Sequence, residues 1–408
     1  MSDSPRPACR RRALHIRGEQ STTADMRRAL NVGIVGCGIA GTATALLLAA
    51  RGHRVTLFEQ TPRVGPVGAG VLLQPSGQRV LAQMDLLAPL LPKVEIIRHL
   101  RAVTHTGRQL IRLPYAEHRA ELHGIGLHRG DLFTLLHGRL ESAGVGLLLD
   151  TRIDSIADAD RRPVAVDHTG RRHGPFDLLV AADGGRSRLR TAAGLAGTVH
   201  EYAYGALWSV GTVAPVAGEL FQVARGTSEL AGLLPLGGGR CSLFWGLHRD
   251  AVADLRSAGF AAWRDRVLKL MPVAEPLVDQ LGCLETTTFV TYRHVLVRKP
   301  WRGNVVFIGD SAHAMSPHLG QGVNLALQDA EALAYAIDRY PSAQQAFAAY
   351  TTARKWATRY YSAVTAFLTP FFQHHGTLLG RCRDLTLPLM ATAWPTRRLM
   401  LRTLCGRA

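Results

Sequence analysis

A chain of 408 residues with 47% hydrophobic content is long enough for two or three domains, each with its own core. No apolar run approaches the roughly 18 residues of a membrane span, and no secretory signal is visible. The formal charge of +17 invites a nucleic-acid partner, but lysine stands only at Lys93, Lys269, Lys299 and Lys355, and no groove-reading motif or basic stripe interleaved with aromatics accompanies the arginines. Nucleic acid is therefore set aside; a positive field of this kind draws anionic nucleotides and acidic substrates.

Residues 1–30, with Pro5, Pro7, the Arg10-Arg11-Arg12 cluster and the polar stretch Glu19 to Asp25, have little apolar surface to bury and are expected to be disordered. Met26 is a candidate start just before the first strand. The apolar run Val32 to Val35 then meets Gly36-Cys37-Gly38-Ile39-Ala40-Gly41, which opens the Ala/Leu-rich stretch Thr42 to Ala50. A glycine turn between a strand and a helix is a pyrophosphate site. Gly36 permits the tight turn, Gly38 lets the ligand approach, Gly41 lets the helix pack, and the helix N-terminus faces negative charge. Cys37 fits this turn as a small side chain. The next run, Val55 to Phe58, ends in Glu59, 18 residues after Gly41 and suited to ribose hydroxyls.

That turn alone serves FAD and NAD equally. Two later segments decide for a flavin. Asp177 to Ala182 reads as a buried strand ending in Asp183-Gly184, with Ser187 and Arg190 at the mouth of a helix. Asn304 to Ile308 likewise delivers Gly309-Asp310, followed by Pro317 and the loop Gly320-Gln321-Gly322-Val323-Asn324, which opens a helix over Leu325 to Ile337. Such a loop lets backbone N–H groups approach a flat ring, and its helix N-terminus stabilises charge there. Asp310 suits a polyol hydroxyl.

Between these segments, residues 201–298 change character. Short alternating runs, Ala206 to Val213, Leu230 to Leu236 and Cys241 to His248, read as antiparallel strands of a sheet covering the flavin. Trp208, Phe221, Phe244, Trp245 and Tyr292 lie here, and Trp208, Phe221, Trp245 and Tyr292 are the candidates to line an apolar substrate pocket, set against ordinary aromatic core. Residues 341–408 read as a helical segment. Leu385 to Trp394 with Arg381, Arg383, Arg397, Arg398 and Arg402 is either a surface packed on the body or a partner, or a basic amphipathic face in contact with a membrane surface. The cysteines show neither metal-ligand spacing nor a disulfide framework, which points to a reducing cytoplasm and no metal.

With these motifs in this order, from about Val32 to about Tyr335, the chain resembles the para-hydroxybenzoate-hydroxylase-like family, the class A FAD-dependent monooxygenases. The resemblance implies an α/β fold. A Rossmann-like FAD-binding domain (31–200 and 299–340) is interleaved with an antiparallel-sheet substrate domain (201–298), followed by the C-terminal helical segment. It implies FAD contacts at Gly36, Gly38, Ile39, Ala40, Gly41, Glu59 and Gln60 for the ADP half. Asp183, Gly184, Ser187 and Arg190 serve both FAD and the nicotinamide nucleotide, Gly309 and Asp310 lie at the ribityl chain, and Gly322, Val323 and Asn324 lie at the ring. Leu127-His128-Arg129-Gly130-Asp131-Leu132 looks like the family's cofactor-reaching arginine, Arg129, and Gly68-Ala69-Gly70-Val71 like the backbone passing the isoalloxazine.

The activity implied is hydroxylation of an aromatic or polycyclic small molecule with O2 and NADH or NADPH, through a flavin C4a-hydroperoxide. Pro317, Gly320 and Gly322 shape the peroxide environment. No side-chain base announces itself; His294, Tyr292 and His318 are candidates that structural roles outrank. The same cofactor motifs serve alkene-directed epoxidases and reductases, which pocket shape and oxygen use would separate. A non-catalytic flavin-binding protein would show decay at Asp183, Asp310 or the glycine loop, and all are intact. The expected assembly is a monomer or homodimer, cytoplasmic or peripheral to the membrane, and the arginine bias fits a GC-rich genome and specialised metabolism.

Overall fold

The computed structural model describes residues 29–65, 68–374 and 376–406. The disorder and the start at Met26 expected of the N-terminal extension fall on residues 1–28 and lie outside the described residues, as do Pro66 and Val67. Among the described residues the chain is mixed α/β, with several sheets and C-terminal helices.

The strand Asn31–Val35 is buried along nearly its whole length, as an apolar run covered on both faces must be. It pairs in parallel with Arg54–Phe58 on one side and Leu178–Ala181 on the other, and Val305–Phe307 extends the row beyond Leu178–Ala181. Trp301–Arg302 and Gly146–Leu148 complete this six-stranded sheet at its two edges. Four strands far apart in the sequence thus end along one edge, where Gly36, Glu59, Asp183 and Gly309 follow them. That carboxyl edge is where open parallel sheets bind ligands. The helices Ile39–Ala49 and Gly322–Arg339 pack together over one face around Leu46, Leu327 and Leu333.

A second sheet of seven strands runs Thr288–Val297, Gly197–Gly211, Arg240–His248, Glu229–Gly237, Glu219–Arg225, His99–Thr104 and Gln109–Pro114. It reaches past the expected 201–298 boundary. His99–Thr104 pairs in parallel with Glu219–Arg225, so a hairpin from the first half of the chain closes the sheet's edge. That long-range pairing leaves no local signal. The stretch is also not all strand: the helices Ala251–Leu270, broken at Gly259 (φ 82°), and Glu275–Leu281 cover one face around Trp245, Trp263 and Leu277. The C-terminal helices Ala343–Phe372, Thr377–Thr392 and Trp394–Leu404 return to the body.

Candidate active site

Gly36 adopts φ 103°, and a Cβ there would lie 2.4 Å from the Ala182 carbonyl oxygen. The glycine turn is therefore pressed against the loop that carries Asp183. A Cβ at Gly41 would sit 2.0 Å from the Gly36 carbonyl oxygen, whereas one at Gly38 would meet nothing within 4 Å. Two glycines are thus dictated by packing, and the third leaves open space above a helix N-terminus that has neither a side-chain cap nor an acidic residue in its first turn. Glu59 braces this turn: Oε2 accepts from the Cys37 N–H (2.9 Å) and Oε1 from the Thr61 N–H (3.0 Å) and hydroxyl (3.1 Å). Gln60 beside it is exposed. Burial raises the Cys37 thiol, keeping it neutral.

Asp183 is held by a 3.4 Å bond from the Leu189 N–H to Oδ2, while Oδ1 is buried without a partner. Burial raises its carboxyl above the ordinary range. Arg190, expected at the cofactor, turns inward instead and donates to the carbonyl oxygens of Ser311 (2.8 Å) and Gly185 (3.1 Å). It clasps the second loop to the third.

In the third loop Gly309 (φ 58°) approaches the first helix so closely that a Cβ would be 3.0 Å from the Ala40 Cβ. Its N–H donates to Asp329 Oδ2 (3.0 Å). Asp329 is fully buried, hydrogen-bonded to His313 and to Arg354 Nε (2.7 Å). Burial alone would raise its carboxyl, but His313 and Arg354 hold it well below the usual range. His313 moves the other way: burial opposes its charge, and Asp329 outweighs burial and raises it. Asp329 and Arg354, which no motif announced, therefore anchor the turn that presents Asp310. Asp310 is open to the cavity, and the surrounding loops raise its carboxyl by desolvation, tempered by His313 and Arg129.

A cavity of about 850 Å³ lies between the seven-stranded sheet and these loops. It brings together Gly70, Val71, Arg129, Asp310, Pro317, Gly320, Gly322 and Val323 with Trp208 and Tyr292. Asn324 is not among them. Its buried side chain accepts from the Gln74 N–H (2.8 Å) and donates to the carbonyls of Leu72 (3.1 Å) and Gly320 (2.9 Å), tying the glycine loop to the strand Gly70–Leu73. The Gly70 N–H donates to Ser242 Oγ (3.1 Å).

Two expected pocket residues face the other way. Trp208 pairs directly with Phe244, ring centroids 5.3 Å apart, and both line the cavity. Neighbouring positions in the two strands, Leu207 and Trp245, then point to the opposite face, because side chains alternate along a strand. Trp245 is fully buried in the helix-covered core with Arg266 4.9 Å over its ring. Phe221 shares that core, while its neighbour Gln222 lines the cavity. Phe244, one of the aromatic residues of this stretch but not among the four pocket candidates, is placed in the cavity by its register with Trp208. Of the candidate bases, His294 bonds Ser362 Oγ (3.2 Å) outside the cavity, whereas Tyr292 and His318 line it. Burial raises Tyr292, which stays a neutral phenol.

Comparison with known proteins accords with this arrangement. Residues 29–358 match the family described as FAD binding domain. Kynurenine 3-monooxygenase of Salinispora arenicola is 32% identical over 361 residues, covering 81% of this chain and 77% of the relative. The 3-amino-4-hydroxybenzoate 2-monooxygenase of Streptomyces cremeus is 29% identical over 343 residues, 78% of this chain and 81% of that protein. A probable FAD-dependent monooxygenase from Pseudomonas aeruginosa has a crystal structure that superposes with a TM-score of 0.77 at 25% identity, over 88% of this chain and 99% of that one. The chain belongs to the FAD binding domain family as an FAD-dependent monooxygenase of the aromatic-hydroxylase class.

Proposed function

We propose that this enzyme hydroxylates a small planar aromatic compound bearing a hydrogen-bond donor, held in the cavity between Trp208, Phe244 and His318. The observation that carries the reading is an imidazole acceptor, that of His318, set beside the flat apolar rings of the cavity wall. Burial pushes the His318 imidazole down to about 4, so it is neutral at neutral pH. Its Nδ1 lies 2.7 Å from Ser316 Oγ, which lies 2.9 Å from Thr369 Oγ1, and that hydroxyl donates to the Thr365 carbonyl (2.7 Å). With the Thr369 proton on the carbonyl, the Ser316 proton goes to Thr369, and Ser316 accepts from the His318 Nδ1–H. The tautomer assigned by this chain leaves Nε2 as a bare acceptor, with no protein partner among the described residues, on a side chain that lines the cavity. A phenolic O–H or aryl N–H satisfies it. The cavity has to take the flavin ring as well as the substrate, which leaves room for a small ligand only, and Trp208 and Phe244 supply flat apolar surface.

The residues present fit FAD. The open space at Gly38 above an uncapped helix N-terminus suits a pyrophosphate, with Ile39, Ala40 and Gly41 supplying N–H groups. The orphaned Oδ1 of Asp183 and the cavity-facing Asp310 suit hydroxyl donors of a dinucleotide, and Arg129 opposes the charge of Asp310. Glu59 and Gln60 flank the adenosine end. Gly70, Val71, Gly322, Val323 and the Asn324 backbone bound the ring, with Pro317 and Gly320 beside it. When bound, FAD accepts reducing equivalents from NADH or NADPH and activates O2 for transfer of one oxygen atom. The chain's part is to orient the aromatic ring against that site through His318, Trp208 and Tyr292, and to exclude water with the seven-stranded sheet.

The interleaved arrangement belongs to the same proposal. Segments 31–200 and 299–340 hold the cofactor, except that the hairpin over 99–114 joins the substrate-covering sheet. A reducing, cytoplasmic setting is supported by Cys37, Cys241, Cys283, Cys382 and Cys405 being free thiols among the described residues.

The test is NAD(P)H oxidation and O2 uptake by the FAD-loaded enzyme with phenols and aryl amines, compared with their methylated counterparts and with polyenes. Phenols or amines are expected to stimulate oxidation and yield a product heavier by one oxygen. Replacing His318 with Leu is expected to raise KM roughly tenfold with little change in kcat, and Gln to restore most of it. Stimulation by polyenes alone would overturn the aromatic reading.

A further inference from the structure

We propose that the outer face of the C-terminal helical hairpin, Thr377–Thr392 and Trp394–Leu404, docks on an anionic membrane surface. Leu378, Leu385 and Leu389 recur at intervals of seven and four residues, one stripe of a helix, and are 71%, 62% and 62% exposed. On the next helix Trp394 is 70% exposed and Leu399 50%, with the Arg398 guanidinium 5.4 Å over the Trp394 ring. Large apolar side chains exposed together in this way mark an interaction surface.

The hairpin is fastened by its other side, so the stripe has no inward alternative. Arg383 is buried and donates to the carbonyls of Gly226 (2.7 Å) and Phe371 (3.0 Å). Leu401 and Leu404 enter the core beside Leu72 and Tyr115. Gln321 of the glycine loop donates to the carbonyls of Thr403 and Leu404, both at 3.1 Å, and Arg397 grips both oxygens of Glu117. The helix bearing Trp394 outward therefore holds the glycine loop from within.

Charge selects the occupant. From Pro341 to Ala408 the sequence carries nine basic residues and one acidic residue, Asp384. Arg381 shares the stripe of Leu385 and Leu389 at intervals of four, and Arg398 and Arg402 flank Trp394 and Leu399, all exposed. A second copy docking through this face would bring like charges together, which is costly. An anionic lipid surface complements them, while leucines and a tryptophan enter the headgroup boundary. No described helix is long and apolar enough to cross a membrane, so the contact lies on the surface.

The test is flotation of the FAD-loaded full chain with vesicles of phosphatidylcholine alone or mixed with phosphatidylglycerol, at low and high salt, with sedimentation velocity run without lipid. Wild-type protein is expected to float with the anionic vesicles, weakly at high salt, and not with the neutral ones. The exposed-site variants Leu385→Gln/Leu389→Gln/Trp394→Gln and Arg381→Gln/Arg398→Gln/Arg402→Gln are each expected to lower binding about tenfold or more while keeping flavin content and basal NAD(P)H oxidation. Absence of flotation, equal flotation of the variants, or a dimer that the Leu/Trp variant abolishes would overturn the proposal. None of these outcomes bears on the substrate reading.

Discussion

In the parallel sheet a residue belongs to the site because it follows a strand; in the seven-stranded sheet it belongs because it faces one way along a strand. The first condition is local. Gly36, Glu59, Asp183 and Gly309 each come directly after a run of buried apolar residues, so the run and the punctuation announce the loop together. The second condition depends on register, and a shift of one residue exchanges core for cavity. Trp208 and Trp245 differ in just this way: both are aromatic residues of adjacent strands, yet one lines the cavity and the other is sealed beneath the helix Ala251–Leu270.

Mutations sharpen that contrast. Asp329→Asn leaves the Arg354 guanidinium buried without its counter-charge, with only Gln328 and the Leu325 carbonyl as other acceptors among the described residues, and is expected to cost about 3–5 kcal/mol, read as a fall in the denaturant midpoint. Its pH dependence has a definite sign. The Asp329 contribution is present above the ordinary carboxylate value of 3.8 and is lost as pH falls through the depressed folded value. The His313 contribution is full below 6.5 and is lost as pH rises through its raised value. The Asn variant is expected to flatten both limbs of a stability–pH curve. An unchanged curve would remove the buried triad as the anchor of the Asp310 turn.

Trp245→Ala is expected to cost about 3–5 kcal/mol while leaving substrate preference per folded molecule unchanged. Asp310→Ala spares stability and is expected to weaken FAD retention by about 1.5–3 kcal/mol, measured by flavin release on dilution. Trp208→Ala is expected to be the mildest, raising KM for an aromatic substrate roughly tenfold at near-normal stability. If Trp245→Ala altered substrate choice more than Trp208→Ala, the assignment of faces would fail.

The glycine turn, the Asp183 and Asp310 loops, the strands near 206, 230 and 241 and the helix opened by Gly322 were all legible, because each combines a buried run with a breaker. Arg190 and Asn324 were legible as members of motifs but not in their duties. Their side chains spend their hydrogen bonds on Ser311, Gly185, Leu72, Gln74 and Gly320, partners supplied by distant segments. Arg354 and Asp329 had no signal at all, since an isolated charge on a helical stretch reads as solvated surface until another helix covers it.

By itself the sequence determined the cofactor class and the glycine turn and loops that follow the strands, because a turn of this kind is a property of consecutive residues with fixed backbone needs. Only the tertiary structure decided which aromatic residues face the cavity, which hairpin closes the sheet over it and which imidazole presents a bare acceptor. Those depend on strand register and on contacts between residues from about thirty to more than a hundred positions apart, and neither is written in any local window.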